Sequence, residues 1–270
     1  MALHRFEPRQ RAAIVQPHET RSPTYHRRVT EDDRRKQAEI DYPGSVGDVG
    51  REWIRIKPFR ADPRTTARFL IDFGYVLQLL DLQVGSSLVE LGCGSGWMTR
   101  LAARHGVQAE GYDISPEMIE IARQEAKREG LEVRFEAGDY EQLDLGRRFD
   151  ACLLYDALHH SERPELVLAA AGRALKPGGR LLLVEPNWTH RFSGREASEA
   201  YGTTELGYSS RRLKRLLRSK GFADIRRFHP NRKRLYTNAA ADTVAHLTEP
   251  LAFRLFAPFW TQIWLRARAI

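Results

Sequence analysis

The stretch LVELGCGSGW, residues 88–97, restricts the possible folds more than any other part of the chain. An apolar run contains the carboxylate of Glu90, and Gly92, Gly94 and Gly96 follow at every second position. Glycine weakens both strands and helices, so this spacing implies that something must approach the backbone closely there. A helical pattern begins straight afterwards and covers residues 97–105. Strand, glycine-rich turn and helix, in that order, form the opening unit of an open α/β sheet. In such sheets a ligand lies beyond the carboxyl ends of the strands and meets the free N–H groups of a helix start.

The remainder of the chain repeats this alternation. After the strand at 87–91 the sequence predicts strands at GVQAEGYD (106–113), LEVRFEAGD (131–139), FDACLLYDA (149–157) and RLLLVEP (180–186). Helices fall between them. One runs over 115–130, with Ser115 as N-cap, Pro116 at its first position and Gly130 as terminator. Another, RPELVLAAAGRAL, is stopped by KPGG. A helix starting at Asp62 precedes the sheet and places Phe69, Leu70, Phe73, Val76, Leu79 and Leu80 at helical spacing. Towards the end, SSRRLKRLLRSKGF reads as a basic amphipathic helix, ADIRRF as a strand and residues 260–269 as the last strand. Alternation of this kind implies right-handed crossovers and a mostly parallel sheet with helices on both faces.

Residues 1–40 are polar and Arg-rich without periodicity, and are expected to form a flexible basic arm. Residues 41–270 then form one domain, with a core at about 65–228 and a late insertion at about 236–258. A hydrophobic content of 42% supports a real core, while a net charge of +8 permits an anionic partner without choosing one. No run approaches about 18 consecutive apolar residues, so no transmembrane helix is expected. The first ten residues lack the apolar stretch of a secretory signal. Only Cys93 and Cys152 occur, and they are expected to be reduced thiols of a cytoplasmic protein.

Two further acids stand at strand ends. Asp113 follows Gly92 by 21 positions, a separation suited to holding the two ribose hydroxyls of a nucleoside, and Asp139 ends the third strand. With these in place, Glu90–Gly96 resembles the first motif of class I S-adenosylmethionine-dependent methyltransferases, acid-x-G-x-G-x-G. Dinucleotide enzymes use G-x-G-x-x-G instead. The resemblance continues in order through GYDISPEMIEIAR, AGDYEQL, FDACLLYDALHH, LKPGGRLLLVEP and LKRLLRSKGF. It implies a Rossmann-like, doubly wound, mostly parallel seven-stranded sheet with an antiparallel last strand, and S-adenosyl-L-methionine as cofactor, leaving S-adenosyl-L-homocysteine. Carried over residue by residue, it implies that Gly92, Gly94 and Gly96 admit the methionine part. Glu90 would anchor the cofactor's ammonium group or brace the loop. Asp113 would hold the ribose and Ile114 would lie on the adenine face. Asp139 would accept from the adenine amino group beside Tyr140, and Tyr155 would line the methyl-donor pocket.

Methyl transfer needs two aligned reactants, water kept out and, for some acceptors, a base. Asp156, His159 and His160, just after the fourth strand, are the candidate bases, and histidine suits the task because it is neutral near pH 7. Acceptor-facing residues are expected in 42–59, in the connection 187–209 and in the late insertion. Similarity of WIRIKPF and EPNWTH to methyltransferases of bacterial polysaccharide and glycoconjugate biosynthesis makes a hydroxyl on a small-molecule or glycan intermediate the leading acceptor. No Asn/Asp-Pro-Pro-Tyr stretch, no Pro-Cys pair and no G-x-S-x-G elbow occurs, which argues against adenine amino methylation, cytosine C5 methylation and hydrolysis. The scattered histidines lack metal-ligand spacing, so no bound metal is expected. Two alternatives stand beside this reading: an RNA methyltransferase using the basic arm and basic helix, and a non-catalytic binding module. The apolar stretch LTEPLAFRLFAPFWTQIWL admits a cap over the acceptor, a peripheral membrane contact or a homodimer contact, so either a monomer or a homodimer is compatible with the sequence.

Overall fold

The computed structural model describes residues 30–59, 62–146, 149–228 and 262–270. Three helices come first. In α1 (Glu31–Ser45) the Thr30 side chain accepts from the Asp33 N–H while the Asp33 side chain accepts from the Thr30 N–H, a capping box. After α2 (Gly47–Arg55), α3 (Pro63–Leu80) is capped by Asp62, whose carboxylate accepts from the N–H groups of Arg64 and Thr65. Strands and helices then alternate: β1 (Ser87–Leu91), α4 (Trp97–Arg104), β2 (Gln108–Asp113), α5 (Pro116–Arg128), β3 (Arg134–Ala137) and β4 (Phe149–Tyr155). They continue with α6 (Pro164–Ala174), β5 (Leu175–Pro186), α7 (His190–Ser193), α8 (Arg195–Tyr201), α9 (Ser210–Ser219), β6 (Phe222–Phe228) and β7 (Gln262–Ala269).

The strands form one seven-stranded sheet in the order β3-β2-β1-β4-β5-β7-β6. Every pair is parallel except those made by β7, which runs antiparallel between β5 and β6. The expected doubly wound sheet with an antiparallel last strand is therefore present. Strands β4 and β5 are apolar on both faces because helices cover both. On one face Phe73, Val76 and Leu80 of α3 pack with Leu88, Met98 and Trp264. On the other, Val167 and Leu168 of α6 and Leu213 and Leu217 of α9 pack with Leu181 and Leu265. The strand order reverses between β1 and β4, so the loops after these two strands diverge and leave a crevice at their carboxyl ends.

Two boundaries differ from expectation. Residues 31–40, read as part of a flexible arm, are instead the first turns of α1. The capping box starts the helix, and its charges are paired on the domain: Lys36 Nζ lies 2.8 Å from Asp139 Oδ2, and the Ser115 hydroxyl donates to the Ile40 carbonyl at 2.9 Å. The fifth strand starts at Leu175 and not at 180, because Leu175 already pairs with Phe149 and a register shift absorbs the following turn before Ala151 pairs with Arg180. Residues 1–29 and the late insertion at about 236–258 lie outside the described residues, as do the first two positions of the expected last strand.

Gly96 shows what one of the three loop glycines does. Its φ is +68°, and a Cβ there would stand 2.5 Å from two carbons of the Phe135 ring. It therefore lets α4 begin in a left-handed conformation against the side chain that seals β3 and α5. Gly96→Ala combines strained φ with overpacking, and is expected to lower stability by about 1–3 kcal/mol. The measurement is the urea unfolding midpoint, with an unchanged slope.

Candidate functional site

The crevice holds a cavity of about 610 Å³. Its floor is the loops after β1, β2 and β4, and its sides are closed by α1, by Ile54, Lys57, Thr65, Arg68 and Phe69, and by residues of the 186–205 connection. The cavity has two chemically different ends.

At the first end the glycine loop meets Asp113. The Gly94 N–H donates to Asp113 Oδ2 at 2.8 Å, and the Ser115 N–H donates to Oδ1 at 2.9 Å. Burial pushes the Asp113 carboxyl above its usual range. Gly92 and Gly94 both line the cavity, and a Cβ at Gly94 would meet nothing within 4 Å. Gly92 is small for a different reason, since a Cβ there would stand 2.5 Å from that of Ala157. Gly96 packs on Phe135 and does not line the cavity. Glu90 is buried and accepts from both the N–H and the hydroxyl of Thr99, which makes it the brace between β1 and α4. Burial pushes it up to about 8. Ser95 lines the cavity, and its buried hydroxyl has no hydrogen-bond partner. Ile114 and Met118 supply an apolar flank.

Three expected residues have polar partners of their own within the fold. Asp139 does not line the cavity: its carboxylate accepts from Lys36, from the Gln142 amide at 3.0 Å and from the Glu141 N–H at 2.9 Å. The lysine comes from α1, which sequence reading had placed in the mobile arm. Tyr140 lines the cavity with its ring, while its hydroxyl donates to the Ala157 carbonyl at 3.0 Å. Tyr155 also lines it, and its hydroxyl donates to the buried Asp72 at 2.7 Å.

At the second end the three candidate bases lie along one wall. Asp156, with φ +48°, accepts from the Gln262 amide at 3.0 Å, and burial raises its carboxyl. His159 and His160 belong to a single 3-10 turn, Leu158–His160. That turn is held by Glu185 at the end of β5, which accepts from the N–H groups of Ala157, Leu158 and His159 at 3.2, 2.9 and 3.2 Å. The same carboxylate lies 2.9 Å from His159 Nδ1. When ionised, Glu185 can only accept, so Nδ1 then carries the proton and the neutral ring offers its lone pair at Nε2. Burial, with His160 adjacent, holds His159 well below the ordinary histidine value. Glu185 itself is raised by burial to about 7.

His160 faces the opposite way. Its Nδ1 lies 3.0 Å from the Thr204 carbonyl and 3.2 Å from Glu39 Oε1. Burial alone would lower this ring, but the Glu39 carboxylate, with Glu205 and Glu185 nearby, outweighs it and raises the group to about 9. His190 of α7 closes the wall, with Nε2 2.7 Å from Glu205 Oε2. Sequence reading missed Glu39, Glu185, His190 and Glu205. Only Glu185 left a signal, as the single charge in the otherwise apolar LLLVEP.

Comparison with known proteins agrees with this architecture. Residues 89–183 match the family described as a methyltransferase domain. The chain is 37% identical over 116 residues to a demethylmenaquinone methyltransferase of Tropheryma whipplei, covering 43% of this chain and 48% of that one. It is 33% identical over 117 residues to a ubiquinone biosynthesis O-methyltransferase of Xanthomonas oryzae, again 43% and 48%. The chain thus spans about half the length of the curated relatives it matches. Among solved structures, a phosphoethanolamine N-methyltransferase of Haemonchus contortus superimposes with a TM-score of 0.62 at 19% identity, covering 89% of this chain and 60% of that one. No helix among the described residues is long and apolar enough to cross a membrane.

The His160–Glu39 contact has a pH signature. His160 is raised from 6.5 to about 9, so its contribution to stability is complete below about pH 6.5 and is lost as pH rises through about 9. Unfolding free energies measured from about pH 6 to about pH 10 should show this alkaline decline. Glu39→Gln should flatten it, and a decline identical to the wild type would remove the pair as its cause.

Proposed function

We propose that this chain, whose residues 89–183 form a methyltransferase domain on a class I scaffold, transfers a methyl group from S-adenosylmethionine to a hydroxyl of a small biosynthetic acceptor. One observation carries the reading. The Gly94–Asp113 cradle and His159, whose ring is held from the core side by Glu185, line the same cavity, where two reactants could be held side by side.

The residues of the first end fit the cofactor. Asp113 spends two hydrogen bonds on its own backbone, and a carboxylate has further lone pairs for ribose hydroxyls. The partnerless Ser95 hydroxyl and the open face of Gly94 are features that a polar ligand would satisfy. When bound, the cofactor supplies a methyl group on a positively charged sulfur, open to in-line attack. Glu90 then serves as a brace, since both of its known partners belong to Thr99.

At the second end His159 Nε2 takes the proton of the acceptor hydroxyl. Its lowered basicity keeps the ring neutral near pH 7, so the lone pair is present before the acceptor arrives. Glu185 holds the tautomer through Nδ1 and stabilises the imidazolium that proton transfer creates. Trp97, Phe69 and Tyr155 give the cavity aromatic surface that sheds water around the reacting atoms. The similarity to a ubiquinone biosynthesis O-methyltransferase supports a phenolic or other ionisable hydroxyl as the first acceptor to try; a glycan hydroxyl is the other member of the same class. The RNA alternative draws less support, because Arg211, Lys214, Arg215 and Arg218 of α9 line a separate depression that shares no residue with the cavity. A module that only binds would need the cradle but not the oriented His159–Glu185 pair.

Two variants separate the two ends. Asp113→Ala is expected to weaken S-adenosylmethionine binding by about 1–3 kcal/mol, roughly ten- to a hundredfold by calorimetry. His159→Ala should leave that affinity unchanged and lower turnover by about 10²–10⁴-fold. The acceptor is found by supplying methyl-labelled cofactor with fractionated cell extract, with and without ribonuclease. Label in a ribonuclease-resistant small-molecule or glycan fraction supports the reading, and label lost to ribonuclease overturns it.

A further inference from the structure

The second end of the cavity holds more imidazole and carboxylate than the removal of one proton requires. His159 Nε2 lies 3.8 Å from Glu205 Oε2, and His160 Nδ1 lies 3.8 Å from Glu205 Oε1. The donor atoms of these three residues all fall within 4.8 Å of one another. Nitrogen and oxygen ligands sit about 2.0–2.2 Å from a zinc-class ion, so two ligands of one ion are separated by up to about 4.2 Å. The two 3.8 Å gaps, one to each oxygen of Glu205, lie inside that span, and no pair of donor atoms is further apart than 4.8 Å.

The surroundings are those of a ligand set. Metal-bound histidine almost always hands its other ring N–H to a carboxylate, which fixes the tautomer and raises ligand basicity. His159 does this to Glu185 at 2.9 Å, deep in the core. Ligating carboxylates are themselves hydrogen-bonded, and Glu205 is contacted by His190 Nε2 at 2.7 Å and by the Thr203 hydroxyl at 3.3 Å. Glu39 Oε1, 3.2 Å from His160 Nδ1, stands ready as a fourth donor. The three residues all line the cavity, so remaining coordination positions face open space. Imidazole with carboxylate suits zinc, cobalt or nickel better than calcium or magnesium, which prefer oxygen alone.

We propose that His159, His160 and Glu205 bind a divalent transition-metal ion of the zinc class, and that the bound ion switches methyl transfer off. The second half rests on the reading of His159 as the base. Its Nε2 lone pair forms a bond either to the ion or to the acceptor's proton, and cannot do both. On the other ring, Nδ1 of His160 gives up its proton to solvent as the nitrogen–metal bond forms. No electron transfer is involved.

The test uses the full chain, stripped with a chelator and titrated with Co²⁺ and, separately, Zn²⁺. Co²⁺ in a nitrogen-and-oxygen site of low coordination absorbs visibly, which gives a readout without any acceptor present. The expected result is one equivalent bound with visible bands, and affinity about tenfold or more weaker in Glu205→Gln. A thermal melt of that variant checks that its fold is intact. Absence of bands and of saturable binding in the wild-type chain would overturn the site. Turnover should fall as the same equivalent of Zn²⁺ is added and return with chelator. Binding accompanied by unchanged or increased turnover would overturn the switch. Because the spectrum needs no methyl transfer, failure of the metal site and failure of the methyltransferase reading are told apart.

Discussion

A carboxylate buried at the end of a parallel strand must find hydrogen-bond donors, and in this fold the nearest donors belong to the loops that shape the cavity. Glu90 ends its run on Thr99, Asp113 on Gly94 and Ser115, and Glu185 on Ala157, Leu158 and His159. Glu90 ties its strand to α4, whereas Asp113 and Glu185 each tie down the loop after a neighbouring strand, Asp113 its own as well. The loops of the cavity floor are held by these hydrogen bonds, because a buried carboxylate left without donors is costly. Glu185 shows this most fully, since one carboxylate caps the turn that carries both histidines and also sets the tautomer of one of them.

The same economy explains why two adjacent histidines behave in opposite ways. They share one turn and their rings lie 4.0 Å apart, yet His159 is held neutral while His160 is held protonated. His159 is deeper, and its carboxylate partner is already shared with three backbone donors. His160 reaches out to Glu39 on α1, a partner that the turn itself does not supply. Two neighbouring groups are thus pushed apart in basicity by burial and by their partners.

Helix α1 is where sequence and structure part most clearly. A run of Glu, Asp, Arg and Lys without an apolar stripe reads as a solvated arm. In the fold the charges are the docking surface: Lys36 meets Asp139 and Glu141, Glu39 meets His160 and the Thr204 N–H, and Asp32 meets Arg163. Hydrophobic periodicity cannot reveal a helix held by polar contacts to a distant loop. This also accounts for Asp139, expected at a ligand and found instead on Lys36.

The chain's own order determined the strand–turn–helix alternation, the glycine loop, the acid at the end of β2, the helix caps at Asp62 and Ser115 and the position of the paired histidines. These are local features, written in neighbours a few residues apart, and local physics fixes them. The meeting of Glu39, His159, His190 and Glu205 in one wall, with Glu185 buried behind His159, was decided only by the tertiary structure. Strand order brings the end of β5 beside the end of β4, and α1 and the 187–209 connection fold over them. No residue in that wall carries a mark of its partners in the sequence, because burial and long-range hydrogen bonding, not chain proximity, select them.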